Sequence, residues 1–227
     1  MVFGKIEYLN LLPFHVFMKR FTKSSQQSMS MHYKRGVPAQ VNQKFLSRRV
    51  DAAFISSVNA RKHKNVKLGI IAKKEVLSVL VIPQDKNKQD KESATSNVLA
   101  NLLNIQGEVL IGDKALRYYL QNKPHIDLAQ EWQKRFNTPF VFALLCFHDD
   151  KKIYKQIERM FLKAPIKIPQ YLLIAASKRT DVSPKDILHY LKYISYNLDT
   201  KAQKGLKTFY KEIQRSKVRE DKSLKIS

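Results

Sequence analysis

Three observations predict a two-lobed α/β protein. Short β-like apolar runs alternate with stretches of helical periodicity along most of the chain. Two segments interrupt that alternation: the polar residues 84–92, and the continuous apolar run FVFALLCF at 140–147. The chain is predicted to cross between lobes at each. The third observation is capacity: 227 residues, 44% hydrophobic and 10% aromatic, are enough for a sizeable core and argue against wholesale disorder.

The elements follow in order. Residues 2–8 read as a first strand. Residues 12–21 read as a helix, with Pro13 in its first turn, where a missing N–H costs nothing. A strand is expected at 29–34 and a helix at 38–47, with Val41, Phe45 and Leu46 as its apolar face. Residues 52–56 form a short buried strand ending at Ser56-Ser57. Strands are expected at 68–72 and 76–82, the second nearly all apolar and therefore central.

After the polar break, Ser93-Ala94-Thr95-Ser96 opens a helix to about Leu103, because hydroxyls satisfy the orphan N–H groups at helix starts. A short strand at 109–111 leads through Gly112-Asp113 into a helix at 114–120. A further helix covers 127–136, and 140–147 is a buried strand. The remainder reads as helical. Asp149 or Asp150 is placed to cap residues 151–162, and Pro169 and Ser183-Pro184 mark two more helix starts. Leu206, Phe209, Tyr210 and Ile213 form one stripe of a last helix, and 215–227 is charged and frayed at the end. The expected division is a discontinuous first lobe of residues 1–82 and 144–227 and a second lobe of 83–143, with a ligand cleft between them.

Composition excludes several functions. Cys146 is the single cysteine, so no internal disulfide forms, and no Cys/His cluster has zinc-site spacing. No apolar run approaches the ~20 residues of a membrane span. The start MVFGKIEYLNLLPFHVF is broken by Lys5, Glu7, Asn10 and Pro13, unlike a signal peptide, and a cytoplasmic protein is expected. Lys+Arg number 42 against 19 Asp+Glu, a net charge of +23. These charges are dispersed, with clusters at 62–67, 86–91 and 217–225, and no nucleic-acid-binding motif accompanies them. Specific nucleic-acid binding is therefore not expected, and the chain is read as a monomer or homodimer.

The familiar catalytic motifs are absent: there is no nucleophile elbow, P-loop, dinucleotide fingerprint or zinc-protease helix. The six histidines are scattered, and Cys146 sits in an apolar strand as an inert thiol. What remains is a set of small polar groups at element ends: Asn10, Ser57, Ser93, Thr95, Ser96 and the Gly112-Asp113 pair. Helix starts carry unpaired N–H groups and partial positive charge, so several facing one cleft would hold a small polyanion without Lys or Arg. Taken singly, each also reads as an ordinary cap.

The stretch Tyr8-Leu9-Asn10-Leu11-Leu12-Pro13 resembles the "YLN-x-x-P" start of the menaquinone-biosynthesis enzymes of the futalosine pathway. Later segments agree in order: Val37-Pro38 with 50–53 ("VP … VDxA"), residues 76–81 ("V-x-SVLL"), Ser93-Ala94-Thr95-Ser96 ("S-x-TS") and residues 110–116 ("LIGD-x-AL"). They continue with 127–132 and 138–143 ("DL-x-x-EW … PFVFA") and the C-terminal Tyr190, Tyr196, Gly205-Leu206 and Phe209. The ordered set covers nearly the whole chain. It implies a fold similar to type II periplasmic binding proteins. The short segment 104–108 implies a trimmed second lobe.

One branch of that family is chorismate dehydratase. The sister branch, which cleaves cyclic dehypoxanthine futalosine, carries a catalytic histidine in an "HE" pair where this chain has Gly112-Asp113, so the resemblance selects the dehydratase. It implies loss of water from chorismate to give 3-(1-carboxyvinyloxy)benzoate, by a substrate-assisted route in which the enolpyruvyl carboxylate takes the proton. It implies no metal and no organic cofactor. Asn10 is assigned to the reacting region. Ser57 and Ser78 are assigned to one carboxylate or the departing hydroxyl, and Thr95 and Ser96 to the other carboxylate. Asp113 either orients a donor or caps its helix. Trp132 and residues 140–143 are assigned to hinge and core. A non-catalytic solute-binding protein of the same fold is the alternative reading, and a basic nucleic-acid binder the third.

Overall fold

The computed structural model describes residues 1–24, 31–163 and 165–223. Its larger sheet has six strands in the order β2-β1-β3-β8-β4-β9. These are β1 (Val2–Lys5), β2 (His32–Arg35), β3 (Ala52–Ser56), β4 (Asn65–Ala72), β8 (Phe140–Phe147) and β9 (Ile194–Asn197). β1 runs parallel to β2 and β3, whereas β8 lies antiparallel between β3 and β4. Both β3 and β8 are almost wholly buried, which is why their sequences are continuous apolar runs rather than alternating ones.

The smaller sheet is antiparallel, in the order β6-β5-β7. It consists of β5 (Val79–Ile82), β6 (Glu108–Ile111) and β7 (Ile126–Asp127). The separation into two sheets agrees with the two-lobed α/β expectation, but the crossovers lie elsewhere than expected. β5 belongs to the smaller sheet, and Phe140 to Ala143 open a strand of the larger one. The chain therefore crosses at residues 73–78 and 137–139, not at 84–92 and within 140–147. The apolar run at 79–82 is indeed central, but in the three-stranded sheet; run composition alone does not say which sheet a strand joins.

The helices are α1 (Leu12–Ser24), α2 (Pro38–Leu46), α3 (Ser57–Ala60), α4 (Ala94–Leu103), α5 (Gly112–Leu120), α6 (Leu128–Phe136), α7 (Lys151–Leu162), α8 (Gln170–Thr180), α9 (Pro184–Tyr190) and α10 (Thr200–Ser223). On α2, Val41 and Phe45 are buried but Leu46 is half exposed, since it falls a residue outside the stripe. Asp150 precedes α7 in the left-handed conformation and its side chain caps nothing, while the Ser183 hydroxyl accepts from the Asp186 N–H as expected. β9 corrects the expectation that everything after 147 is helical: it is a four-residue edge strand, too short for its alternation to register. The expected strand at 29–34 is found at 32–35; residues 29 and 30 lie outside the described residues, as do 224–227.

Both crossovers are held firmly. The buried Asp127 carboxylate accepts from Val76 N and Leu77 N at 2.9 and 2.8 Å with one oxygen. Its other oxygen caps α6 through Ala129 N and Gln130 N. Burial raises the Asp127 pKa, and these four N–H groups work against that rise. At the second crossover, Trp132 Nε1 donates to Thr138 Oγ1 at 3.1 Å. Pro139 is pressed against α10 so closely that a Cβ on Gly205 would lie 2.0 Å from its carbonyl oxygen.

Candidate active site

Between the two sheets lies a cleft, partly open to solvent. Clefts between lobes are a usual place for small-molecule sites. Its walls come from element ends on both lobes. The alternation of an extended chain aims Ile6 and Tyr8 inward after β1, and Phe54 and Ser56 inward on β3, while Asn10 reaches the cleft from the turn that follows. Phe142 and Ala143 of β8 line it as well, Val76 and Ser78 come from the first crossover, Val79 from the start of β5, and Ser93 and Ser96 from the start of α4. Gly112 closes the far side.

Asn10 sits in a single 3-10 turn, Leu9–Leu11. Its backbone carbonyl accepts from Tyr196 Oη at 2.7 Å, which fixes the turn. Among the described residues its side-chain amide has no protein partner, so both its donor and acceptor groups are available to a ligand. Ser78 follows Leu77, whose φ of +62° turns the chain at the pinned crossover. The Ser78 hydroxyl shares a 2.8 Å hydrogen bond with Tyr190 Oη and lines the cleft. Ser96 also lines it, accepting from the Ser93 hydroxyl at 2.7 Å.

The other three expected residues do not reach the cleft, because their side chains are bound within the protein. The Ser57 hydroxyl donates to the Val141 carbonyl at 2.5 Å. Thr95 Oγ1 accepts from Val58 N at 3.3 Å, joining the lobes behind the cleft. Their neighbours Ser56 and Ser93 line it instead. Strand period points to Ser56, which shares parity with Phe54, and helix period to Ser93, which shares a face with Ser96. Asp113 accepts from Leu9 N at 2.9 Å and pairs with Arg179 at 3.2 Å, so it clasps the turn carrying Asn10 to the second lobe. Burial pushes its carboxyl pKa up, with Leu9 N–H and Arg179 pulling against that. Phe142 and Ala143, assigned to hinge and core, line the cleft, whereas Trp132 is fully buried.

Tyr8 and Glu92 were not singled out by the sequence. Tyr8 Oη donates a short hydrogen bond to Glu92 Oε2 across the cleft, and burial together with Glu92 drives the phenol pKa far upward. Glu92 is the one charged side chain among the lining residues, which include no Lys, Arg or His. The Tyr8 ring lies over Gly112, where a Cβ would come within 2.7 Å of it. Among the described residues, no group of three or more His, Cys, Asp or Glu is arranged to hold a metal ion. Burial pushes the Cys146 thiol up to about 12, so it is no nucleophile at neutral pH.

A family model described as menaquinone biosynthesis matches residues 1–106 and 102–215. A chorismate dehydratase from Campylobacter jejuni (strain 81-176) is 45% identical over 215 residues, 93% of this chain and 96% of that protein. Among solved structures, an Archaeoglobus fulgidus protein superposes with a TM-score of 0.75 at 13% identity, covering 96% of this chain and 97% of the other. The periplasmic aliphatic sulphonate binding protein of Escherichia coli superposes with a TM-score of 0.54 at 10% identity, covering 94% and 92%. These two likenesses establish the fold, that of periplasmic binding proteins. No helix among the described residues is long and apolar enough to cross a membrane.

Proposed function

The chain belongs to the menaquinone-biosynthesis family, and from that premise we propose that it is a chorismate dehydratase, a hydro-lyase converting chorismate to 3-(1-carboxyvinyloxy)benzoate and water. The 45% identity to the Campylobacter enzyme over nearly the full length of both chains supports this reading. The observation that carries the site is Asn10: it is held by its backbone, aimed into the cleft and free of protein partners at its amide.

The reaction removes the proton on C3 and the hydroxyl on C4 and leaves an aromatic ring, so its drive is intrinsic. The protein's task is orientation. Ile6, Phe54, Ile70, Val79, Ile111 and Phe142 give an apolar slot for the ring. The Ser93 and Ser96 hydroxyls at the start of α4 hold one carboxylate, with the helix dipole behind them. Ser56 and Ser78 receive the other carboxylate or the departing hydroxyl. Asn10 bonds the reacting region.

The substrate's own enolpyruvyl carboxylate, tethered beside C3, takes the proton and the water leaves from C4. Glu92 supports a second reading, in which it acts as the base, because it is the only carboxylate lining the cleft. Its tie to Tyr8 favours instead a structural part in joining the lobes. Paired variants separate these roles. Asn10→Ala is expected to lower kcat at least ~10²-fold, the scale of losing one preorganised donor, with folding intact. Glu92→Gln is expected to keep kcat within about tenfold, well short of losing a general base, commonly 10²–10⁴-fold. Near-normal turnover in Asn10→Ala removes Asn10 from the mechanism, and a loss of ~10³-fold in Glu92→Gln moves the base to the protein.

A further inference from the structure

On the other side of Tyr8 from the cleft is a second recess, also open to solvent. Tyr8 is the one residue that lines both. The same alternation that aims Ile6 into the cleft aims Lys5 and Glu7 into the recess. Its walls are apolar or aromatic, including Leu12, Val16, Tyr33 and Leu172, and three cations, Lys5, Lys19 and Arg179, stand against the single carboxylate of Glu7. Among the described residues, no cation lines the cleft.

The cations are engaged but not sealed in. Lys5 pairs with Glu7 at 3.1 Å, Lys19 donates to Tyr171 Oη at 3.3 Å, and Arg179 pairs with Asp113 through one nitrogen while 43% of its side chain stays exposed. The positive field is felt by the groups around it. Glu7 is held below its ordinary pKa by Lys5, Arg35 and Arg179, which outweigh the opposing effect of burial. His15 is pushed down to about 4, chiefly by burial, with Lys5 and Arg179 adding to it.

We propose that this recess is a second anion site that takes a small aromatic carboxylate, and that its occupant competes with Asp113 for the Arg179 guanidinium. The carboxylate meets Arg179 and Lys19, and the ring rests on Leu12, Val16 and the two tyrosines. Arg179 presents a planar fork suited to a carboxylate. When it turns toward the recess, the buried Asp113 carboxylate loses the cation that offsets its burial. Its bond to Leu9 N then weakens, and with it the turn that carries Asn10. Occupancy therefore lowers turnover without filling the cleft. The regulatory half rests on the dehydratase reading, since the product of that reaction is itself an aromatic carboxylate; the binding half does not.

The test uses the full chain, with benzoate as probe and inorganic phosphate as the anion lacking an apolar body. Calorimetric titration is expected to show benzoate binding that weakens at least tenfold in Lys19→Ala. It should also be lost in Ala175→Trp, which fills the recess without removing a charge. Phosphate is expected to bind at least tenfold more weakly than benzoate. With chorismate as substrate, benzoate should lower kcat rather than only raise KM, and Lys19→Ala without benzoate should keep kcat/KM within about twofold. Benzoate inhibition that is purely competitive and unchanged in both variants places the anion in the cleft and overturns the proposal. So does equal or tighter binding of phosphate, or no benzoate binding at millimolar concentration. If chorismate is not turned over, the calorimetric comparison still decides the site, so failure of the dehydratase reading is told apart from failure of this one.

Discussion

At the scale of single residues, Gly112 links the two lobes most tightly. Its φ is +67°, and the Tyr8 ring occupies the space of any side chain there. The sister branch of the family, as the sequence resemblance implies, carries its catalytic histidine at this place; here that histidine would collide with Tyr8. Gly112→Ala is therefore expected to cost about 1–3 kcal/mol, from the positive φ and the clash together. A thermal melt should show a clear drop in Tm; an unchanged Tm would mean that Tyr8 moves aside freely. Asn10, Ser78 and Ser96, picked out by motif and element position, line the cleft. Ser57, Thr95 and Asp113 do not, because a polar residue at an element end serves the protein as readily as a ligand. The Val141 carbonyl, the Val58 N–H and the Leu9 N–H that take up those side chains are remote in sequence and leave no trace in it.

At the scale of elements, α7, β3 and β8 begin and end where the pattern does, whereas the strands expected at 68–72 and 76–82 run over 65–72 and 79–82. β7 and β9, of two and four residues, were missed because their pairing is set by tertiary neighbours, not by local sequence. α1 supplies a prediction of its own. His15 is half-buried beside the recess, its Nε2 2.7 Å from the Ile6 carbonyl, and burial holds its pKa down at about 4 against an ordinary 6.5. The folded chain therefore binds fewer protons than the unfolded one between those values. The stability this contributes is full above pH 6.5 and lost as the pH falls toward 4. His15→Gln, which keeps a donor for Ile6 but does not titrate, should flatten the pH dependence of unfolding free energy in that window by on the order of 2 kcal/mol. Denaturant titrations at pH 7 and pH 4.5 provide the check, and an unaltered slope would contradict a buried neutral His15.

At the scale of the whole molecule, a chain of net charge +23 carries a cleft lined by no cation. On the proposed reading, the surface field draws anions in, while hydroxyls at element ends hold them. Salt screens exposed charge over about 10 Å at 0.1 M. Neutralising Lys86, Lys88 and Lys91 should thus lower kcat/KM at low ionic strength, yet leave it within about twofold of the parent at physiological salt. Loss at every salt concentration would put the anion site on that loop. The two-sheet architecture was legible from the alternation of elements; the crossovers were not, because Asp127 and Gly205 fix them from distant positions. Incubating the purified chain with chorismate and following the mixture by chromatography tests directly whether it dehydrates chorismate. Conversion to 3-(1-carboxyvinyloxy)benzoate is expected without added metal or cofactor, at a rate that Asn10→Ala lowers at least ~10²-fold. Chorismate that is bound but recovered unchanged would contradict it and leave a solute-binding protein.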